Sequence, residues 1–477
     1  MEKQIQPVIK NNTYTLEIVS LGHSGEGVGK YEGFTVFVPH ALPGETVEVK
    51  IIEVKKNYAK ASLKDVKVAS KSRSIPKCSI YYQCGGCQFQ HVDYEEQLIL
   101  KRQTVVDAVS RIGKIADVII HPTIGAREPW YYRNKMQFPI GTVSGQVAVG
   151  CFAQGTHQII NTEHCYIQHP DNDSIAQTVQ QVVTELGIST YDEHTGRGTM
   201  RHVIGRVGIA TGEIMVVLVT ATSNLPKKEN IIERLRQRMP NIVSIIQNVN
   251  NKQTNVILGN QMKTLWGRDT ITDRLGKFIF HISARSFFQV NTKQAEVLYN
   301  KAVEYAGLTG QETVIDAYCG TGTITLFLAE KAAKVYGIEI VEPAIRDAWR
   351  NVELNQVKNV EFTVGDAVDI MPRMFKQGLR PETIVIDPPR AGCEKKVLET
   401  FAAMEPGRIV YVSCNPSSLA RDLAVLVELG YITREIQPVD MFPHTYHVES
   451  VANVCWVSHV YTKFILLHEY PLSFVYL

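Results

Sequence analysis

Cys414 follows a short apolar run, Ile409-Val410-Tyr411-Val412-Ser413, and Asn415-Pro416 comes directly after it. Proline bars the residue before it from helical geometry, so the strand stops here, and Ser417 or Ser418 is expected to cap a helix over Leu419–Leu429. In open α/β sheets ligands gather at the carboxyl ends of strands, which makes a thiol at that point a candidate nucleophile. Packing is the competing fate of a free cysteine. Cys319 and Cys393 are rival thiols, and Cys319 sits in a glycine loop where close packing is its expected role. Cys78-x5-Cys84-Gly85-Gly86-Cys87 carries a different thiol chemistry. Its Gly-Gly knuckle can aim two thiolates at one metal, with a third cysteine just upstream. The fourth is expected at Cys165 rather than Cys151, which falls in the alternating strand Gln146–Ala153 and is expected to pack. Four thiolates suit zinc or an iron–sulfur cluster, and the spacing is not the Cys-x3-Cys-x2-Cys of radical-generating clusters.

Acidic residues close four successive apolar runs: Asp316 after Thr313-Val314-Ile315, Glu339 after Lys334–Ile338, Asp366 after Val360–Val364 and Gly365, and Asp387 after Thr383–Ile386. Gly320 and Gly322 let a ligand approach the backbone closely. Glu339, about 20 residues further on, can accept bonds from ribose hydroxyls. Thr325 stands where a dinucleotide fingerprint needs its third glycine. No pyrophosphate cradle is evident, so adenosine without phosphates fits better, and S-adenosylmethionine is the natural candidate.

The elements that must position these residues form three segments. Residues 7–68 read as short strands with glycine turns: Leu16–Leu21, a glycine-rich loop over 22–29, Thr35–Pro39 and Thr46–Val54. That is a small OB-like β-barrel, a fold that often binds nucleic acid. Residues 69–285 read as an α+β middle segment: a helix over Asp93–Gly113, a hairpin over 199–222, a helix over Lys227–Met239 and a strand over Ile242–Gln247. In Trp130-Tyr131-Tyr132-Arg133-Asn134-Lys135-Met136-Gln137-Phe138 aromatics alternate with bases, as single-stranded RNA requires and as a half-buried strand with a basic edge also would. Arg201, His202 and Arg206 could also face RNA. From 286 to 477 strands and helices alternate (Thr292–Ala306, then Thr323–Lys334, are helices), which means a doubly wound, parallel-rich sheet. Nine basic residues between Lys50 and Lys77 face only Glu53 and Asp65, so this strip is +7 on a chain of net charge +2. A polyanion partner is implied. The polar start, Met1–Lys10, is not that of a signal peptide, and no apolar run reaches the ~18 residues of a membrane span. Cytoplasmic placement with no membrane partner is expected.

The chain resembles the RNA uracil-5-methyltransferase family, most of all its iron–sulfur, TRAM-bearing members that act on 23S ribosomal RNA. The resemblance runs from about residue 7 to residue 451. It is carried by the barrel; Cys78, Cys84, Cys87 and Cys165; Phe287-Phe288-Gln289-Val290-Asn291; Asp316-Ala317-Tyr318-Cys319-Gly320; Asp387-Pro388-Pro389-Arg390; Ser413-Cys414-Asn415-Pro416; and His447-Val448-Glu449-Ser450-Val451. It implies a TRAM domain, a middle α+β domain with a [4Fe–4S] cluster on the four cysteines, and a Rossmann-like methyltransferase domain. Gln289, Tyr318, Glu339 and Asp387 would contact S-adenosylmethionine, with Gly320 and Asp366 in the same loops. Cys414 would be the nucleophile and Glu449 the base, acting as a monomer on a uridine of 23S rRNA turned out of its stack.

The residue types suit that chemistry. Carbon 5 of uracil attacks a methyl group only after a thiolate has added at carbon 6, and a base must then remove the carbon-5 proton. His444 and His447 are weaker candidates for base or phosphate contact. Arg390 stands where enzymes that methylate exocyclic amines carry an aromatic residue after Asp-Pro-Pro. Methylation of transfer RNA is the nearest alternative; an RNA-binding factor with a vestigial catalytic domain and an iron–sulfur redox enzyme are the others. Ala452–Leu477 does not read as the short strand and basic end the family pattern leads one to expect, which bears on how Glu449 is held.

Overall fold

The computed structural model describes residues 6–457. They fall into two interleaved compact units: 6–104, 124–296 and 440–447 in the first, and 105–123, 297–439 and 448–457 in the second.

In the first unit, strands Thr13–Leu21, Gly27–Tyr31, Phe34–Val38, Thr46–Val54 and Tyr58–Val68 close into a barrel. Period-two alternation sends Leu16, Ile18, Val36, Val38, Val47, Val49, Ile51, Ala59 and Ala61 inward, all nearly or fully buried. The glycine-rich stretch is only partly a loop, because Gly27 and Gly29 lie in the second strand. A Cβ at Gly27 would stand 2.7 Å from the Ala41 carbonyl oxygen, and one at Gly29 would stand 2.8 Å from that of Glu17. These glycines serve close strand approach, not a turn.

The same unit holds a seven-stranded sheet in the order Gln261–Gly267, Ile242–Val249, Ile214–Thr220, Met200–Val207, Lys135–Val143, Gln146–Phe152, Ile159–Asn161. Every residue of Met200–Val207 and Ile214–Thr220 is buried, so these two central strands are covered on both faces. Helices Pro170–Glu185 and Lys228–Arg238 contribute Val179, Val182, Ile231 and Leu235 to that core. The aromatic and basic run is not a strand until Lys135. Helix Tyr94–Ala108 continues as a π-turn over Val109–Gly113, which fills the expected helical span. Lys101 and Asp440, both without exposed side-chain surface, form an ion pair at 2.5 Å. The Phe442 carbonyl also accepts from Lys101, and the Tyr94 hydroxyl donates to Asp440.

The second unit is built on an eight-stranded sheet. Val360–Val364, Lys334–Glu339, Thr313–Ala317, Thr383–Ile386 and Arg408–Ser413 run parallel in that order. Glu449–Trp456 then pairs antiparallel with both Arg408–Ser413 and Tyr431–Val439, and Ile119–Ile120 adds the edge. The final strand therefore forms through Trp456 despite its atypical sequence, because Val451, Ala452 and Val454 are apolar enough to be buried. The remainder of the atypical tail, 458–477, lies outside the described residues. Strand order reverses between Thr313–Ala317 and Thr383–Ile386, and at such a switch point the crevice beyond the carboxyl ends takes a ligand. The helix after the glycine turn is shorter than expected, Thr323–Ala329, since the chain must turn back to start a strand at Lys334.

Candidate active site

Register brings the two principal candidates together. Ser413 pairs with Ser450 across the antiparallel strands, and Cys414 and Glu449 are the next residue on either side of that last pair. Their charges interact. Glu449 is 4% exposed, and burial, helped by the charge of Asp387, pushes its carboxyl up to about 8 while Arg390 pulls the other way. Cys414 is half-buried; burial first, then Glu449 and Asp387, push its thiol up to about 12 against the pull of Arg390. Asp387, partly exposed but set in densely packed surroundings, is pushed up to about 7 by burial. The site therefore gathers protons on three acidic groups beside one arginine. A carboxyl held up at about 8 suits a step that removes a proton.

The loop carrying Arg390 is tied to the Cys414 turn. Asn415 caps helix Pro416–Glu428 by accepting from the Ser417 N–H, taking the role expected of Ser417 or Ser418. Its Nδ2 donates to the Arg390 carbonyl at 3.0 Å, and the Ser418 hydroxyl donates to the same oxygen at 3.1 Å. Asp422, 1% exposed, accepts from the Cys393 N–H at 2.7 Å, the Tyr411 hydroxyl at 2.5 Å and Arg421 Nε at 2.8 Å. Asp422 was missed in the sequence. Its signal was there: an acid in an apolar stripe at the spacing Leu419, Asp422, Leu423, Leu426. The rival thiols are packed. Cys319 and Cys393 are each 5% exposed, and burial pushes both up, Cys393 to about 12.

At the switch point Asp316 is fully buried, which pushes its carboxyl up to about 7. Thr325, the residue in place of a third glycine, donates its hydroxyl to Asp316 Oδ2 at 2.5 Å. Asp316 Oδ1 is buried with no partner among the described residues. Glu339 accepts from the N–H groups of Gly320 (3.2 Å) and Val341 (2.8 Å). Tyr318, Gly320 and Gly322 all have positive φ, and a Cβ built on Gly320 would meet nothing within 4 Å. An orphaned carboxylate oxygen beside an open glycine cradle fits a nucleoside. Asp366 uses one oxygen to cap helix Ala367–Lys376 through the Val368 N–H, and the side chain is exposed. Gln289 belongs to the first unit, is 7% exposed, and its carbonyl accepts from Asn134 Nδ2 at 2.9 Å.

The cysteines form a second constellation, within the first unit. Cys78, Cys84, Cys87 and Cys165 line one cavity of about 250 Å³. Burial pushes Cys87 and Cys165 up to about 12, and the charges of Cys165, Cys84 and Cys78 all reach Cys87. Cys151, expected to be packing alone, lines the same cavity and hydrogen-bonds to Cys84. The strand pairing that sets Cys84 against Ala153 brings it there. The Gly86 N–H also donates to the Cys84 sulfur at 3.3 Å. Among the described residues no three His, Cys, Asp or Glu side chains gather about one point that could hold a metal ion. Four cysteine sulfurs around one cavity are a donor set that suits zinc or an iron–sulfur cluster.

The residues offered for RNA divide. Trp130 stacks on His444 at 3.6 Å, and Tyr132 is buried with its hydroxyl on the Pro443 carbonyl. Tyr131 remains exposed, and Lys77 lies 4.7–5.2 Å over the rings of Trp130, Tyr131 and Tyr166. His444 is 3% exposed and is pushed down to about 3 by burial, so it packs as a neutral ring and is not placed to meet phosphate. His447 lines the cysteine cavity. Arg206 turns inward to the carbonyls of Ala284 and Ser286. Arg201 and His202 are buried as well.

The profile of the family described as tRNA (Uracil-5-)-methyltransferase matches residues 211–455, and that of the TRAM domain matches residues 7–64. An uncharacterized RNA methyltransferase of Halalkalibacterium halodurans is 52% identical over 95% of this chain and 99% of its own. One of Bacillus cereus is also 52% identical, over 94% and 98%. Among solved structures, the Pyrococcus abyssi tRNA (uracil-54, C5)-methyltransferase in complex with S-adenosyl-L-homocysteine is similar at 30% identity and a TM-score of 0.75. It covers 92% of this chain and 99% of its own.

Proposed function

The chain belongs to the RNA uracil-5-methyltransferase family, and from that premise we propose that Cys414 and Glu449 methylate carbon 5 of uridine in 23S ribosomal RNA. The observation that carries this reading is the strand register that ends in the pair Ser413–Ser450 and so sets Cys414 beside the buried Glu449. S-adenosylmethionine, when bound, supplies the electrophilic methyl group. Tyr318, Gly320, Glu339, Asp366 and Asp387 would hold it at the switch point, the resemblance adds Gln289 to the set, and its positive charge would lower the proton affinity of neighbouring acids. Cys414 gives up its proton to solvent water, and its thiolate adds to carbon 6 of uracil, which makes carbon 5 nucleophilic. After methyl transfer Glu449 removes the carbon-5 proton, and Cys414 leaves. A carboxyl held near 8 is a stronger base than an ordinary one, as that last proton removal needs.

In this reading residues 7–68 and 69–285 bind RNA and residues 286–477 do the chemistry. Cys78, Cys84, Cys87 and Cys165 would hold a [4Fe–4S] cluster that ties the 78–87 loop to the strand-and-helix region at Cys165. Methyl transfer needs no electrons, so the cluster's role is structural.

The choice of ribosomal RNA rests on the resemblance of the barrel and cysteine set to members acting on 23S rRNA. The archaeal neighbour favours transfer RNA as a second reading, and since it covers 92% of this chain the barrel alone does not separate the two. The test uses 23S and transfer RNA transcripts carrying tritium on uracil carbon 5. Cofactor-dependent tritium release from the 23S transcript, abolished in Cys414→Ala, is the expected result. Release from transfer RNA alone would establish the second reading. Methyl incorporation without tritium loss would refute the mechanism.

A further inference from the structure

The first unit holds a cavity of about 820 Å³ that shares no lining residue with the cysteine cavity or the catalytic set. Strand residues 139–143, Phe152, residues 157–159, residues 190–194, Arg201 and His202 enclose it. Phe152 and His157 stack at 5.0 Å with planes 18° apart, and the Arg201 guanidinium lies 4.4 Å over the Tyr191 ring.

The polar groups point to a ligand. Arg201 is 4% exposed, and it donates to the carbonyls of Asn250 and Lys252 at 2.7 Å each. Its Nε is buried with no partner, and among the described residues no carboxylate forms an ion pair with it. His202, 8% exposed, also has a buried and unpartnered Nδ1. The two acids of the loop are already engaged. Glu193 pairs with His157 at 2.7 Å, and Asp192 accepts from the N–H groups of His194 and Thr195. A buried cation without a counter-ion is costly, and orphaned buried polar atoms are rare outside functional sites. Flat rings backed by an arginine plane and hydrogen-bonding side chains are what single-stranded RNA uses to hold an unstacked base, and the volume lies in the range of ligand pockets.

We propose that this cavity takes one unpaired nucleotide of the bound RNA, its base against the His157 and Tyr191 rings and its polar edge toward Arg201 and His202. The pocket is a second anchoring point, apart from the methylated uridine, and it rests on the reading of this chain as an RNA-modifying enzyme. It reads an unpaired base, so it favours RNA loops over duplex.

Full-length protein is photo-crosslinked to random single-stranded oligoribonucleotides containing 4-thiouridine, and the adducts are mapped by mass spectrometry. Adducts on peptides spanning 152–159 or 189–194 are expected. His157→Ala with Tyr191→Ala should remove them and weaken binding about 5- to 150-fold, the loss found when stacking side chains are truncated. Tyr191→Phe should bind as wild type. Adducts confined to other peptides, or unchanged affinity in a folded double variant, would overturn the pocket; the wild-type map stands even if the variant does not fold. A protein that gives these adducts yet methylates no uridine would keep the pocket and sink the proposed reaction, and the reverse pattern would do the opposite.

Discussion

Burial makes both the Glu449 carboxyl and the Cys414 thiol reluctant to ionise, so the pH dependence of each reports on the packing around them. Two predictions follow for Glu449. In the free enzyme kcat/KM should rise with pH through about 8, and Glu449→Gln should lower it by about 10²- to 10⁴-fold and remove that inflection. Stability should change in the opposite sense. The folded carboxyl keeps its proton up to about pH 8, whereas the unfolded one releases it near 4.5, so the folded state binds more protons between those values. That contribution is full below about 4.5 and is lost as pH rises through 8. Melting curves should therefore show Glu449→Gln gaining on wild type at pH 8 to 9, by up to a few kcal/mol, with little difference at pH 4 to 5. Asp316 and Asp387, held near 7, act in the same direction and keep part of the slope in the variant. For the cofactor loop, Thr325→Val removes the hydroxyl that holds Asp316. It should cost about 1–3 kcal/mol of stability and weaken S-adenosyl-L-homocysteine binding in calorimetry, with RNA affinity unchanged.

At the level of elements, helix Pro416–Glu428 positions the chemistry from behind through Asp422, which fixes the 390–393 loop. Asp422→Ala leaves the Cys393 N–H and the Tyr411 hydroxyl without their acceptor. It should lower kcat at saturating RNA and cofactor more than it raises either KM, and lower the melting temperature; an effect on KM alone would deny the positioning role. The sequence made the parallel strands, the acidic strand ends and the thiol after Ser413 readable, since each depends on local pattern and chain order. The stripe that holds Asp422 marks it as an acid on a buried face, but its role as the acceptor for Cys393 and Tyr411 depends on donors that only the fold places around it. Gly27 and Gly29 looked like a loop because glycine marks turns and close approach alike, and only the Ala41 and Glu17 carbonyls decide between them. Arg206 and His444 looked like RNA contacts because a basic side chain bonded to buried carbonyls or stacked on Trp130 has no sequence signature. Cys151 looked like packing because the pairing of residues 84 and 153 is not a local property.

For the whole molecule, the basic strip is less free than its composition suggests. Lys55 and Lys60 pair with Glu53, Lys67 with Glu48 and Asp65, and Arg73 with buried Glu45. Lys56, Lys64 and Lys71 form no ion pair among the described residues. Lys56→Glu with Lys64→Glu should weaken RNA binding and flatten its dependence on log salt by roughly 1 to 2, whereas Lys55→Gln should change little; filter-binding titrations from low to high salt test this. The interleaving of the two units has a consequence of its own. The chain leaves the catalytic sheet after Val439, spends residues 440–447 in the other unit where Asp440 locks onto Lys101, and returns just before Glu449. The proposed base thus enters on the last of the described strands, after a detour whose partner lies more than three hundred residues earlier. A chain that has folded its barrel and its parallel strands still lacks the edge beside Arg408–Ser413 until Glu449–Trp456 pairs there, so the proposed nucleophile is complete in sequence well before the proposed base joins it.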